Sequence, residues 1–554
     1  MSIETGSGSG TRGDRPTQDQ TAVLVVGGSV VGLSAAALLA RYGVPCVLVE
    51  KHRAALIHPR ARGFNPRTVE IFRQLGVEDA VIAAAGLGSD DPSTPGMRAT
   101  TLSDPDFQWF EPGALDAMSA LSPCAAQPVH QDRVEEVLRR RAIELGADIR
   151  FGTRLVGLDQ DPAGVTATVR DGQGVESVIR ADHLIAADGS SSPIRRQCGI
   201  PVHGPGTLAQ VISLMFEADL GDLLNGRRFN VCYLDRPSPG TVLAPAGEGR
   251  WSLATRYLPE HGETLADYPP ERCRELIAAA LGDSRVKVRL LPQIPGTDEI
   301  AVPFVIGAQV AERFRHRRVF LAGDAAHVVP PTGGFGANTG VQDAHNLAWK
   351  LAAVHHGQAG HGLLDTYHAE RHPVASYTLD QALARAHQRT GYRGTDSPPQ
   401  NLDPAPTVIF GYRYRSAAIL DAPSDDAPAI APTQLRGRPG TRAPHLPVRR
   451  GSHERSTLDL YGDGFVLLAG PDGDDWVKAA SEQADQRGIA LSTVRIGTDI
   501  TGPDAQITRA HGITASGALL IRPDGFVAWR SATLTPAPHR TIADVLERIL
   551  CTIT

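Results

Sequence analysis

Three short apolar runs each end in a turn built from Gly, Asp and Ser, residue types that can hold phosphate or sugar groups at a strand end. Run 23–26 passes into Gly27-Gly28-Ser29-Val30-Val31-Gly32. Run 184–187 passes into Asp188-Gly189-Ser190-Ser191-Ser192-Pro193-Ile194-Arg195. Run 319–322 passes into Gly323-Asp324-Ala325-Ala326-His327, followed by the glycine-rich loop 330–338. The first turn has the outer glycines of a G-x-G-x-x-G pattern, with Ser29 in the middle place. Gly27 permits the tight turn, Gly32 permits close helix–sheet packing, and the helix start offers N–H groups to a pyrophosphate. Ser29 narrows the approach slightly and adds a hydroxyl donor. Glu50 closes the next strand, where a carboxylate accepts from ribose hydroxyls and repels a 2′-phosphate, so the site favours FAD or NAD over NADP. A generic strand–helix turn is the plainer alternative. For the second turn that alternative is an N-capped helix, since Asp, Gly and Ser are all cap residues. In the third, Asp324 suits a ribitol or ribose hydroxyl. The N–H groups and helix dipole beyond it favour negative charge on a bound ring. His327, beside a strand end, reads as structural rather than as a base.

The elements that must position these turns follow from the pattern. Residues 22–50 read as a βαβ unit, with an Ala/Leu helix and Gly43 at its C-terminal end. Helices are predicted at 66–75, after Asn65-Pro66, and at 131–145. Strands at 147–152, 153–160, 164–171 and 176–181 read as a meander leading back to 184–187. Residues 200–310 alternate short strands with Pro/Gly turns and carry one helix, 269–281. Helical spacing returns at about 338–354 and 363–386. The division predicted is a disordered tail 1–20, a discontinuous domain 21–199 and 311–390, and a sheet-rich lobe 200–310 with part of 85–125. A linker 391–430 and a third domain 431–554 complete it.

Composition narrows the class. The 554 residues suggest two to four domains, and 42% hydrophobic with 21% charged residues is ordinary for a globular chain. A net charge of -6 without a long basic cluster argues against nucleic acid. Residues 1–20 hold no apolar h-region of a signal peptide, and no run of 18 apolar residues exists to span a membrane. Cys46, Cys124, Cys198, Cys232, Cys273 and Cys551 include no CxxC pair, which argues against a disulfide framework or a zinc site and fits a reduced cytoplasm.

With these motifs in this order, the chain resembles the group A FAD-dependent aromatic monooxygenases of the p-hydroxybenzoate hydroxylase fold. Within that family it is most similar to bacterial aromatic polyketide hydroxylases. The likeness spans roughly 22–390, and more loosely 431–554 through Arg438-Pro439-Gly440-x-Arg442-Ala443-Pro444. It implies an α/β Rossmann-like FAD-binding domain with an inserted sheet-rich substrate domain. It also implies a C-terminal thioredoxin-like domain without redox cysteines. Carried over by residue, Gly27, Ser29 and Gly32 approach the FAD pyrophosphate, and Glu50, with Lys51 beside it, holds the adenosine ribose. Arg60 or Arg62 faces the flavin, and Gln131 contacts FAD. Asp188 and Gly189 belong to a segment serving both FAD and NADPH. Asp324 holds the ribitol or pyrophosphate. Residues 331–338, with Pro331, Gly334, Gly336, Ala337 and Asn338, line the isoalloxazine.

The resemblance further implies NADPH or NADH as electron donor, O2 as cosubstrate, and oxygen transfer to a phenolic ring through a flavin C4a-hydroperoxide. The nicotinamide coenzyme binds without a second βαβ unit. No Ser/His/Asp-type catalytic set is expected. Arg371 is the one candidate catalytic side chain, and a structural ion pair is its plainer role. A small polycyclic aromatic substrate is expected to meet Arg227, Tyr233, Trp251, Arg256, Phe304 and Phe335, although each could equally serve the core. No membrane or nucleic-acid partner is expected, and the protein is a monomer or homodimer. Baeyer–Villiger oxidation or epoxidation would use the same flavin. A non-catalytic flavin-binding protein is the reading from another class, and the complete loop 330–338 argues against it.

Overall fold

The computed structural model describes residues 18–53, 61–85, 95–110, 116–247, 249–294, 297–390, 401–422 and 424–552. Arg60 and most of the N-terminal tail lie outside them. The first sheet is centred on strand Gln18–Val26. Cys46–Glu50 and Glu176–Ala186 flank it in parallel, with Asp148–Phe151 and Val319–Leu321 parallel outside these. A parallel sheet covered on both faces selects continuous apolar strands, and Val23, Leu24, Val25, Leu48, Leu184 and Phe320 are all buried. Helix Val30–Arg41 packs against both Gly336–His355 and Gln131–Glu144.

Register decides where the turns fall. Val26 lies opposite Val49 and Ala186, and Ala186 opposite Leu321. The turns after these residues therefore share one edge, at the carboxyl ends of the strands, where open α/β sheets bind ligands. The predicted meander is built differently. Segments 176–181 and 184–187 belong to one run, Glu176–Ala186, whose continuity Arg180, Asp182 and His183 obscure in the sequence. Strand Asp148–Phe151 leaves the meander and lies parallel to Cys46–Glu50.

The second sheet has nine strands and is mostly antiparallel. Its long members Val202–Glu217 and Ala301–Ala311 pair from end to end, starting at Val202 opposite Ala311 beside the first domain. Gly96–Ala99 and Phe107–Phe110 join the far side. Helix Pro270–Leu281 covers one face, where Cys273, Ile277 and Leu281 share a core with Leu214, Phe216 and Leu253. The other face looks toward the strand ends of the first sheet.

A four-stranded sheet forms the thioredoxin-like third unit, in the order Leu491–Arg495, Phe465–Ala469, Ala518–Ile521, Val527–Ser531. Helices Asp474–Arg487 and Pro538–Ile549 pack together beside it. Residues 401–422 are packed rather than loose. They form helix Ala405–Phe410, then bury Tyr412, Tyr414 and Ile419. The Tyr414 and Phe526 rings stack with centroids 4.0 Å apart. This stretch falls in the expected linker 391–430, drawn from the Pro-, Asp-, Arg- and Gly-rich segments 388–407 and 421–456, but its aromatic residues are buried. No helix among the described residues is long and apolar enough to cross a membrane.

Candidate functional site

The shared strand-end edge and the inner face of the second sheet enclose a cavity of about 2150 Å³. Ligand pockets usually measure roughly 300–1,000 Å³, so this one has room for two organic molecules side by side.

Gly27 makes the first turn with φ 113°, and a Cβ there would stand 2.2 Å from the Ala187 carbonyl oxygen. No L side chain fits. Gly32 is not among the residues lining the cavity. Its missing Cβ would lie 1.9 Å from the Gly27 carbonyl oxygen, so it is purely a packing position. Both oxygens of Glu50 accept backbone bonds, Oε2 from Gly28 N at 2.6 Å and Oε1 from His52 N at 2.8 Å. The carboxylate thus closes the turn and still presents lone pairs to the cavity, which Lys51 also lines.

A second carboxylate, missed in the sequence, stands at the same turn. Buried Glu135 accepts through Oε1 from Val30 N at 3.1 Å, from Ser29 Oγ at 2.8 Å and from Gln131 Nε2 at 2.7 Å. Gln131 Nε2 also donates to Ser29 Oγ at 2.8 Å, and Gln131 Oε1 accepts from Ala61 N at 3.3 Å. The single hydroxyl proton of Ser29 therefore points to Glu135 rather than outward as the expected donor. The available signal was that Glu135 lies four residues after Gln131, on the same helical face.

Ser192 caps helix Pro193–Gln197, accepting from Arg195 N at 3.0 Å as the plainer alternative describes, and Asp188 braces that cap while lining the cavity. Its carboxylate accepts from Ser192 Oγ at 2.6 Å and from Ile194 N at 3.2 Å. Burial pushes its carboxyl up from the ordinary range, and these two bonds oppose the shift. Arg195 joins the second turn to the third by donating to the Ala325 carbonyl at 3.0 Å.

At the third turn Asp324 is exposed to the cavity, with Gly189 across from it on the same lining. Below them lies a buried knot. His327 Nε2 and Asp343 Oδ2 are 2.6 Å apart, Gly323 N donates to the same Oδ2, and Arg371 Nε donates to Oδ1 at 2.7 Å. Burial pushes the Asp343 carboxyl up, but His327 and Arg371 outweigh it and hold the group below its ordinary value. Arg371 also donates to Tyr414 Oη and Thr339 O. It lies off the cavity wall, in the structural role that was the plainer expectation. The loop above is fixed by Asn338, whose Nδ2 donates to Gly334 O at 2.7 Å and whose Oδ1 accepts from Asn65 N at 3.0 Å. Pro331, Gly334, Gly336, Ala337 and Asn338 all line the cavity.

Arg62 crosses from the first domain to the second sheet, donating to the Pro245 carbonyl at 3.0 Å and to Ser252 Oγ. Of the expected substrate contacts, Tyr233, Arg256, Phe304 and Phe335 line the cavity. Arg227 and Trp251 do not. Arg227 is taken up by the carbonyls of Leu102, Asp104 and Leu223. Trp251 fails by strand parity. Side chains alternate along Arg250–Arg256, so Ser252, Ala254 and Arg256 face the cavity, while Trp251 and Leu253 enter the opposite core. Gln210, Gln293 and Arg389 also reach the cavity, and nothing in their sequence context marked them. Among the described residues no group of three or more His, Cys, Asp or Glu could hold a metal ion.

Comparison with known proteins agrees along the whole chain. Residues 20–382 match the family model described as FAD binding domain, and residues 436–552 that described as aromatic-ring hydroxylase, C-terminal. The chain is 42% identical to tetracenomycin A2 monooxygenase-dioxygenase of Streptomyces glaucescens, covering 96% of this chain and 97% of that protein. It is 39% identical to aklavinone 12-hydroxylase RdmE of Streptomyces purpurascens, covering 95% and 98%. Among solved structures, aklavinone-11 hydroxylase in a ternary complex with FAD and aklavinone superposes with a TM-score of 0.87 at 38% identity, covering 96% and 99%. The flavin-dependent monooxygenase PieE, with FAD and substrate, gives 0.83 at 31%, covering 96% and 99%. The three strand-end turns, the cavity they share with a second sheet and these matches place the chain in the family of FAD-binding aromatic-ring hydroxylases.

Proposed function

We propose that this chain is a monooxygenase that hydroxylates a polycyclic aromatic polyketide, using FAD and a nicotinamide coenzyme. The single observation that carries this is the cavity. It is continuous from the strand-end turns to the inner face of the second sheet, and at about 2150 Å³ it exceeds what one ligand needs. The residues present fit FAD. Gly27 leaves the space a side chain would fill, Glu50 and Asp324 offer acceptors for sugar hydroxyls, and the loop 330–338 presents backbone to a flat ring.

In this reading the adenosine end lies by Glu50 and Lys51, and the pyrophosphate by Gly27, Ser29 and Gln131. Asp188, Gly189 and Asp324 meet the ribitol. The ring lies against Pro331, Gly334, Gly336, Ala337 and Asn338. The first N–H groups of helix Gly336–His355 favour negative charge there. Arg62 fixes the distance between the two walls. Beyond the ring, Tyr233, Phe304 and Phe335 supply flat apolar surface and Arg256 a cation, which suits a fused aromatic system with phenol and quinone oxygens. Bound FAD supplies the redox and oxygen chemistry; the chain supplies position, dryness and electrostatics. The overall balance is RH + O2 + NAD(P)H + H+ giving ROH + H2O + NAD(P)+.

The test is the absorbance of purified protein, followed by NADPH and O2 consumption with hydroxylated naphthacenequinones. Two flavin bands, substrate-accelerated NADPH oxidation and a product carrying one atom from isotopically heavy O2 are expected. A colourless protein that takes up no FAD, or a product oxygen derived from water, overturns the assignment.

A further inference from the structure

Four basic side chains from outside the three turns ring part of the cavity: Arg62, His130, Arg133 and Arg250. They converge from separate elements. His130 immediately precedes helix Gln131–Glu144, Arg133 sits in its first turn, Arg250 opens strand Arg250–Arg256, and Arg62 follows from the loop before Asn65. Arg133 is exposed and the others are half-buried. Backbone carbonyls hold the heads in place. Arg133 donates to Ala84 O at 2.9 Å, Arg250 to Gly247 O at 3.4 Å and Arg62 to Pro245 O at 3.0 Å. Their charges act on one another. His130 is held below its ordinary value by burial and by Arg62, Arg133 and Arg250, with Asp132 opposing. The whole chain carries -6, so this concentration of cations is not a by-product of composition.

Stoichiometry states what such a rim has to serve. Monooxygenation splits O2 between product and water and consumes two electrons per turnover. The cysteines of the described chain are all free and scattered, so no dithiol is set up to supply that pair. A diffusing two-electron donor must enter the cavity, and the common ones are phosphate-bearing dinucleotides. We propose that the rim of Arg62, His130, Arg133 and Arg250 docks the phosphates of a nicotinamide dinucleotide, leaving its nicotinamide end directed into the cavity. The inference rests on the monooxygenase reading above and adds a place to it. Guanidinium groups suit phosphate through paired N–H donors. The dock lies on the helix start and the second-sheet hairpin rather than on the turns assigned to FAD.

The experiment uses FAD-loaded full-length enzyme. NADP+ is titrated calorimetrically at low and high salt, and NADPH reduces the flavin anaerobically in a stopped-flow instrument. The double variant Arg133→Gln/Arg250→Gln is expected to bind NADP+ at least about tenfold more weakly, with a shallower salt dependence. Its FAD content, melting temperature and limiting reduction rate are expected to match the parent, and Arg133→Lys to keep most of the affinity. Unchanged NADP+ affinity in the double variant overturns the dock. So does loss of FAD in step with NADP+, which would assign the rim to the flavin. If dithionite bleaches the parent enzyme but neither NADPH nor NADH does, the donor itself is wrong, and the dock falls with it.

Discussion

Glu135 changes what the glycine turn offers a ligand. A helix N-terminus ordinarily presents free N–H groups and partial positive charge to an anion. Here Val30 N is already bonded to Glu135 and Gly28 N to Glu50, so two carboxylates shape the turn before any phosphate arrives. Glu135→Ala strips an acceptor from Ser29, Val30 and Gln131 at once. It is expected to cost roughly 1–3 kcal/mol of stability, measured by urea denaturation, and to weaken FAD binding in a fluorescence titration. Gly27→Ala is harsher, because its Cβ meets backbone rather than a movable side chain. Protein recovered from that variant is expected to lack the flavin bands after desalting. A yellow Gly27→Ala protein with parent-like affinity would show that the turn tolerates a shifted backbone. Gly27, Glu50 and Asp324 were legible because each sits at a motif position. Glu135 was not, since its partner Ser29 is 106 residues away and only the fold brings the two together.

At the level of elements, the glycine-rich loop is held from below. Asp343 lies on helix Gly336–His355 and Arg371 on Asp365–Thr390. Their pairing, with His327 and Gly323 N on the same carboxylate, ties both helices to the third turn. Asp343→Asn leaves Arg371 buried with its counter-charge removed, which is expected to cost roughly 3–5 kcal/mol in chemical denaturation. The same chemistry predicts a pH profile. The carboxyls of Asp343, Glu370 and Glu70 are all held below their ordinary values in the folded chain despite burial. Their stabilisation is therefore fully present above ordinary carboxylate values, about 4, and is lost as pH falls through the lower folded values. Burial also holds His183, His345, His372 and His511 below the ordinary histidine value, so unfolding free energy is expected to begin declining as pH falls below about 6.5 and to fall more steeply below about 4, with a gentler decline below about 4 in Asp343→Asn. A parent profile that rises on acidification would contradict the role given to these carboxylates. Helix positions were readable from apolar spacing. Which strand face Trp251 takes was not, because one residue of parity separates cavity from core and only pairing fixes it.

Across the whole molecule, two buried charge clusters fasten the third unit to the first domain. Arg442, from the Arg-Pro-Gly motif, donates to both oxygens of Glu70, which also accepts from Arg67 at 3.0 Å. Arg522 grips Glu370 through both terminal nitrogens, at 2.6 and 2.8 Å, while Lys350 Nζ donates to the same carboxylate at 2.7 Å. Both clusters are buried. Arg522→Met is expected to destabilise the protein by several kcal/mol, on the order of 3–5, and to raise its sensitivity to proteolysis at the junction while the flavin site is still loaded. Limited trypsin digestion of FAD-bound protein reads this, and an unchanged digestion pattern would show that the clasp is dispensable. The third unit itself was visible in the sequence as strands 465–469, 518–521 and 526–529, a turn at 522–525 and a final helix at about 540–551. Its attachment was not, because the Pro-, Asp-, Arg- and Gly-rich segments on either side of 408–420 mask the packing that Tyr412 and Tyr414 provide.

These clasps set a compatibility rule for recombination between relatives. A C-terminal domain bringing Arg442 and Arg522 matches only a host that presents Glu70 and Glu370 at the seam. Swapped into a partner lacking Glu70, the graft carries the Arg442 guanidinium into a dry interface without its carboxylate, and in one lacking Glu370 it leaves Arg522 with Asp524 as its remaining acid. Two sound parts then make an unsound chimera, and inheritance of the C-terminal domain is tied, acid for base, to two helices, each more than a hundred residues upstream of its arginine.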